Sequence, residues 1–384
     1  FAHLDRAEIS ALGAVLDYIN LTQRGQLPLL QPPVQEKPSG TMMIDAATRR
    51  NLELTQSVSG GRDGSLLDVV DRTVTAAGGR LLERRLSNPS CDGALLVQRL
   101  AQVQFFVDAP QLCAQLRQTL RGVPDMARAL SRLGLDRGSP RDLGALRDGL
   151  ALAHQIAQLL AQQSANAQGL PFDLAALSMG ADLTAHLHRS LATNLPLQTR
   201  DGGFISDGFD ADLDAARRLR DEGRSIMMGL ESGYVTETGV QSLKIKHNNV
   251  LGYFIETTAA HGARMMSPPL SNRFIHRQTT ANQVRFTTVE LSTLETQILN
   301  AGGQALEIEL RHFAQLKDMV LQNAALIAEV AKTLAILDLS ACFADLAADE
   351  NWTRPKLDDS CAFVIDQGRH PVVERALKRS RTGN

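Results

Sequence analysis

The stretches LKIKHNNVLGYFIETT (243–258) and RFIHRQTTANQVRFTT (273–288) decide how the rest of the chain is read. Within them, LKIKH (243–247), LGYFIETT (251–258), RFIHRQT (273–279) and QVRFTT (283–288) are short runs rich in β-branched and aromatic residues. Such residues favour pleated strands. Asn248-Asn249, Pro268-Pro269 and Asn282 punctuate the runs with residues that favour turns. The pattern predicts a small β module of about fifty residues.

Outward from this module the period becomes helical. Upstream, after the turn Asp201-Gly202-Gly203, a helix runs to about Ser232, with Asp207, Asp210 and Asp214 stepping along one face near its start. Acidic side chains there complement the helix dipole, and no glycine-centred calcium loop follows them. Downstream, Val289 to Leu339 contains no proline, and Leu291, Leu294, Ile298, Leu306, Leu310, Phe313, Leu316 and Val320 mark one stripe. A helix of that length spans roughly 75 Å. The simplest geometry is an antiparallel helical pair with the β module at its tip. From Asp45 to about Leu195, apolar residues recur at three- and four-residue steps, which predicts an all-α bundle. Residues 1–24 read as a helix. LPLLQPPVQEKPSG (27–40) follows, an extended linker because its four prolines fix φ and remove backbone donors. FVIDQGRHPVVERAL (363–377) reads as a strand, a glycine turn and a second short strand. The fold class is therefore mainly α: a multi-helix bundle whose two long helices carry a small inserted β-rich module.

Charge distinguishes the module from its surroundings. Between residues 241 and 289 stand Lys244, Lys246, Arg264, Arg273, Arg277 and Arg285 against a single acid, Glu256, in a chain of formal net charge −2. A cationic module on a mostly acidic body suits a polyanion, because Lys and Arg neutralise phosphates without reading bases. Asn248, Asn249, Asn272, Gln278, Thr279 and Asn282 can add hydrogen bonds to phosphate oxygens. His247, His261 and His276 add polar, partly chargeable contacts. Tyr253, Phe254, Phe274 and Phe286 read as the module's core rather than as a stacking platform. A competing reading is a structural helical stalk for protein–protein assembly without DNA binding. It requires apolar a and d heptads along both arms, and the stripe at 291–320 is only partly heptad.

Other functions find little support. No GxxxxGK[ST] phosphate loop, HExxH or GxSxG occurs. His186 and His188 are two residues apart, on different helix faces. No catalytic residue, metal site or cofactor is expected in this stretch. Cys91, Cys113, Cys342 and Cys361 form no CxxC and read as reduced thiols of a cytoplasmic protein. No apolar run is long enough for a membrane span, and FAHLDRAEIS is not a signal peptide. A start without Met suggests a fragment.

Several segments resemble the MutS family of bacterial DNA mismatch-repair proteins. MMIDAATRRNLELTQS (42–57) resembles the opening of that family's core domain. VTAAGGRLLERRLSNP (74–89) resembles its next helix, with Arg85 where the family often has Trp. LKIKHNNVLGYFIE (243–256) and RQTTANQVRFTTVEL (277–291) match the start and end of the family's clamp domain. Ala281 and Val284 stand where Lys and Glu are usual, which leaves the local net charge unchanged. GRHPVVE (368–374) matches the entry to the ATPase domain. The resemblance implies a connector tail at 1–40, a helical core with lever helices at 41–238 and 289–345, a clamp at 239–288 and the start of an ATPase domain at 346–384. It also implies DNA-backbone contacts by Lys246, Asn248, Arg273, His276, Arg277, Asn282 and Arg285. For the full-length parent it implies a DNA-dependent ATPase using ATP and Mg, a homodimer, double-stranded mismatched DNA as ligand and a MutL-type repair partner. The mismatch-reading Phe-x-Glu motif would precede residue 1, and the Walker motifs would follow residue 384.

Overall fold

The computed structural model describes residues 4–23, 30, 33, 35, 40–164, 170–248 and 251–382. Asn249 and most of the proline-containing linker lie outside the described residues. The chain divides into two compact units, one of residues 1–188 with 316–384 and one of residues 189–315.

The first unit is helical: α1 (Arg6–Thr22), α2 (Ala46–Asn51), α3 (Leu66–Val70), α4 (Ala76–Ser87), α5 (Gly93–Val107), α6 (Pro110–Leu120), α7 (Met126–Gly134), α8 (Pro140–Ser164), α9 (Leu174–Leu177) and most of α10 (Ala181–Ser190). The second holds α11 (Ala211–Thr238), β1 (Lys244–Asn248), β2 (Gly252–Thr258), α12 (Ala259–Met265), β3 (Ile275–Thr279), β4 (Gln283–Thr287) and most of α13 (Val289–Gln322). α14 (Ala324–Glu350) and α15 (Pro371–Thr382) return to the first unit.

α14 organises the first unit. Leu334, Leu337, Leu339, Ala341, Cys342 and Leu346 are all buried, and α4 to α9 pack around it. A helix apolar on every side belongs at the centre of a bundle. Its one deeply buried acid, Asp338, accepts hydrogen bonds from Val74 N (3.0 Å), Thr75 N (2.8 Å) and Thr75 Oγ1 (2.6 Å). Burial raises the Asp338 carboxyl above the usual range against these bonds, which lower it. Thr75 in turn caps α4 by accepting from Gly78 N at 2.9 Å.

In the second unit α11 and α13 run antiparallel. Asp210 meets His312 at 2.7 Å, Arg217 meets Glu309 at 2.5 Å, and Tyr234 meets Thr288 at 2.6 Å. Partner numbers fall on α13 as they rise on α11. Small residues face the contact: a Cβ on Gly223 would stand 3.1 Å from Ile298, and Ala216, Ala301 and Ala305 are buried. The acids at the start of α11 work locally. Asp210 caps the helix, Asp214 accepts from Gly208 N, and Asp207 pairs with Arg217.

Four sequence expectations need correction. The predicted continuous helix 289–339 divides at Asn323, whose side-chain amide donates to Met319 O at 2.8 Å and so competes with the helix ladder. The buried stripe of α13 passes through Ala301, Ala305 and Ile308, while Leu310 is exposed, because close packing selects small residues. The turn region after β2 contains the helix α12. The strands expected in 363–377 are absent; instead Pro371, whose φ suits the first turn, opens α15, and Glu374 and Arg375 follow within it.

Gly78 has no room for a side chain, since a Cβ would overlap the Asp338 carboxylate. Gly78→Ala is expected to lower the stability of the full chain by about 1–3 kcal/mol, read as a lower urea midpoint with an unchanged slope.

Candidate nucleic-acid interface

The four strands form one antiparallel sheet in the order β1-β2-β4-β3. Alternation sorts its residues onto two faces. Ile255, Val284 and Phe286 share one face and are buried with Met265 and Phe274, beneath Met227 and Tyr234 of α11 and Leu291 of α13. The other face brings together Lys246 with its cross-strand partner Phe254, and Glu256 with its partner Arg285.

Glu256 is the centre of that second face. Its side chain is 6% exposed, and it accepts from Lys246 Nζ at 2.6 Å and from Arg285 Nε at 3.2 Å. Arg285 also donates to Gln278 Oε1 at 2.9 Å, and its guanidinium lies 4.7 Å over the Phe254 ring. Burial opposes the charge on Glu256, but the hydrogen bonds and positive charge of Lys246 and Arg285 outweigh it and hold the carboxyl below its usual range. One buried acid on β2 thus orients two cations on the strands that flank it. Phe274 and Phe286 are buried in the core and Tyr253 packs against it, as the core reading of the aromatics expects, whereas Phe254 is buried on the opposite face beneath Arg285.

The other expected contacts divide by what holds them. Arg277 is the extra residue of a bulge, because His276 pairs with Phe286 and Gln278 with Arg285. A bulge on an edge strand re-aims a side chain. Arg277 is exposed and has no ion-pair partner among the described residues. His276, exposed beside it, bonds Thr279 Oγ1 at 2.8 Å. Asn282 is exposed at the β3–β4 turn, and its carbonyl accepts from Ala259 N at 3.1 Å. Asn248 Oδ1 accepts from Leu251 N at 2.7 Å and so shapes the β1–β2 hairpin. Arg273 is tied to the helices: it pairs with Glu237 at 2.7 Å and with Glu290, and lies 5.4 Å over the Tyr234 ring.

Sequence reading missed the acids that neutralise part of this charge. Glu231 of α11 accepts from Lys244 Nζ at 2.9 Å and from Ile245 N at 2.7 Å. Glu295 of α13 accepts from Tyr253 N at 3.0 Å and fills the space beside Gly252, whose φ of +69° suits glycine. These glutamates lie outside the 243–288 segment, so counting charge within it overstates the free cations. Among the described residues of that segment, Arg264 and Arg277 have no carboxylate partner. Lys244 and Arg273 are solvent-exposed in their pairs, which exchange partners at little cost, whereas Lys246 and the largely covered Arg285 share the buried Glu256.

Comparison with known proteins shows the family of the chain. The family model for MutS domain III matches residues 47–344. The chain is 59% identical over 383 residues to a DNA mismatch repair protein MutS of Cereibacter sphaeroides, covering 100% of this chain and 43% of that protein. It is 57% identical over 386 residues to the MutS of Paracoccus denitrificans and 54% identical over 388 residues to that of Roseobacter denitrificans, covering 99% of this chain and 43% of each relative. The chain thus spans less than half the length of the curated relatives it matches. Among the described residues, no helix is long and apolar enough to cross a membrane.

The Glu256 cluster carries a pH signature. Its folded pKa is depressed, so its contribution is present above the unfolded value of about 4.3 and is lost as pH falls through the folded value. Glu256→Gln is expected to destabilise the full chain by about 1.5–3 kcal/mol near neutral pH. The gap from wild type should close in acid below the ordinary carboxylate range. Urea midpoints across that range check it, and a gap independent of pH would argue against the ion-pair role.

Proposed function

Because this chain belongs to the MutS family, through a match to domain III over most of its length, we propose that it is the lever-and-clamp part of a DNA mismatch repair protein. It holds duplex DNA by the phosphate backbone and does no chemistry itself. In this reading residues 239–288 are the clamp, and 41–238 with 289–345 are the core and its lever helices. Residues 1–40 end a connector domain, and 346–384 begin an ATPase domain.

One observation carries the reading. Lys246, Arg277 and Arg285 stand on three strands of one sheet at one end of the α11/α13 pair, with Arg277 unpaired among the described residues and the other two oriented by one buried acid. Surface cations arranged without a partner of equal charge suit a row of phosphates, which such residues bind by releasing counterions. Nothing about that contact selects sequence, so the clamp grips and leaves mismatch reading to another domain. α11, at 28 residues, is about 42 Å long and supplies the reach. The parent protein would close two such clamps around one duplex as a homodimer. It would use ATP and Mg in its ATPase domain to govern that closure and pass the signal to a MutL-type partner in the cytoplasm.

The test is duplex binding by the full chain across a salt series. Binding is expected to be weak, indifferent to sequence and steeply weakened by salt. Arg277→Ala should reduce the slope of log K against log salt by about one. Lys332→Ala, which alters an exposed lysine of α14 paired with Glu329, should leave the slope unchanged. Salt-independent binding, or equal slopes for wild type and Arg277→Ala, would refute the backbone-clamp reading and favour a structural stalk.

A further inference from the structure

The bulge in β3 decides which side chain faces Arg285. His276 pairs with Phe286, so an unbroken ladder would set Arg277 directly opposite Arg285. Like charges directly opposite one another on paired strands destabilise a sheet. The extra residue shifts the register by one, and Gln278 stands opposite Arg285 instead. Lys244, Glu256, Arg285 and Gln278 are thereby successive cross-strand partners in one row across the sheet.

Within that row Arg285 is held from three sides. Its Nε donates to Glu256 Oε2 at 3.2 Å, its Nη1 donates to Gln278 Oε1 at 2.9 Å, and its guanidinium lies 4.7 Å over the Phe254 ring. Chemistry fixes which way the Gln278 amide points: a guanidinium only donates, so the atom that faces it is the oxygen. One anchor leaves a planar group free to swing. Anchors on the two strands that flank β4, with an aromatic face beneath, fix the plane and so the direction of the N–H donors that remain. Lys246 differs. Among the described residues its ammonium is held by Glu256 alone, on a flexible stem.

We propose that Gln278 is a positioning residue of the DNA grip: brought into place by the β3 bulge, it holds the Arg285 guanidinium over Phe254 with the remaining N–H donors set for a phosphate of the duplex backbone. This role rests on the clamp reading for its ligand, while the geometry stands without it. From its sequence alone Gln278 reads as one more phosphate contact, but its oxygen is committed to Arg285. Ordering a long side chain before its ligand arrives is worth about three- to tenfold in affinity.

Two measurements on the full chain test this role, the first without DNA. Gln278→Met keeps the size of an exposed side chain and removes the acceptor. In a nitrogen–proton spectrum selective for arginine Nε–H groups, the Arg285 signal is assigned by its disappearance in Arg285→Lys. Its exchange with water should be several-fold faster in Gln278→Met than in wild type. Unchanged exchange overturns the proposal whatever happens with DNA. The second measurement is duplex binding. Gln278→Met should weaken it about three- to tenfold and leave the salt slope unchanged, because the number of phosphates neutralised stays the same. In an Arg285→Lys background, which leaves Glu256 a cationic partner, the same change should have no further effect, since lysine has no plane for Gln278 to orient. Equal losses in both backgrounds point to a direct amide–phosphate contact or a general loss of sheet structure and overturn the proposal. So does an affinity that Gln278→Met does not change while Arg277→Ala still lowers the salt slope, a result that leaves the clamp reading standing. No duplex binding by wild type refutes the clamp reading and this role together.

Discussion

A small sheet with one apolar face cannot stand in water alone, and that constraint shapes the second unit. Ile255, Val284, Phe286 and Phe274 need a cover, and Tyr234 from α11 and Leu291 from α13 provide it. The Tyr234 hydroxyl is satisfied by Thr288, so its ring can be buried without an orphaned donor. The module is therefore folded by the helices that carry it. Where α11 and α13 go, the polar face of the sheet follows, and this makes the helical pair part of the site.

Gathering cations on that face creates a second problem, since like charges repel. The structure meets it twice over. Glu231, Glu237 and Glu290 reach in from the helices to Lys244 and Arg273, which fastens the sheet to its supports. Glu256, inside the sheet, holds Lys246 and Arg285 outward. The difference in exposure matters. An exposed glutamate is a weak partner that solvent and salt dilute, whereas a buried one has no alternative but to keep its cations. Lys246 and Arg285 are thus positioned in advance of the phosphate contact proposed for them, while Arg277, on its bulge, has no competing acid among the described residues.

Much of this was legible in the sequence, and the reason is periodicity. Four alternating runs gave the strands within a residue or two and two helical stripes gave the helices, though α11 runs on to Thr238 rather than Ser232, because each side chain's face is fixed by its own position in the chain. What escaped depends on other segments. Glu295 against Gly252 and Glu231 against Lys244 are contacts between residues far apart in sequence. The bulge at Arg277 depends on register with β4, which no single strand reveals. α12, in AAHGARM, lies between the strand-like runs, and its Gly262 stands where a Cβ would overlap Val284, a contact set by another segment. The break at Asn323 comes from one side chain bonding its own helix. The segment 363–377 reads as strand from Phe363, Val364 and Ile365, yet all three are exposed, and α15 forms after them.

In the proposed function the α11/α13 pair would serve as grip and lever at once. At one end Arg217 and Glu309 lock the helices, with Glu309 almost fully buried and also near Phe204 N. At the other end Arg273 ties Glu237 of α11 to Glu290 of α13, directly beneath the sheet. A sliding of α13 past α11 would strain both fastenings and shift Leu291 within the sheet's core. Close-packed interiors yield in discrete rearrangements rather than by smooth deformation. In the proposed clamp, motion imposed at the Arg217 end would reach the sheet as a change in where Lys246, Arg277 and Arg285 stand. A loosely jointed module could carry the same charge and transmit nothing, so the proposed coupling would rest on the shared core rather than on the charge.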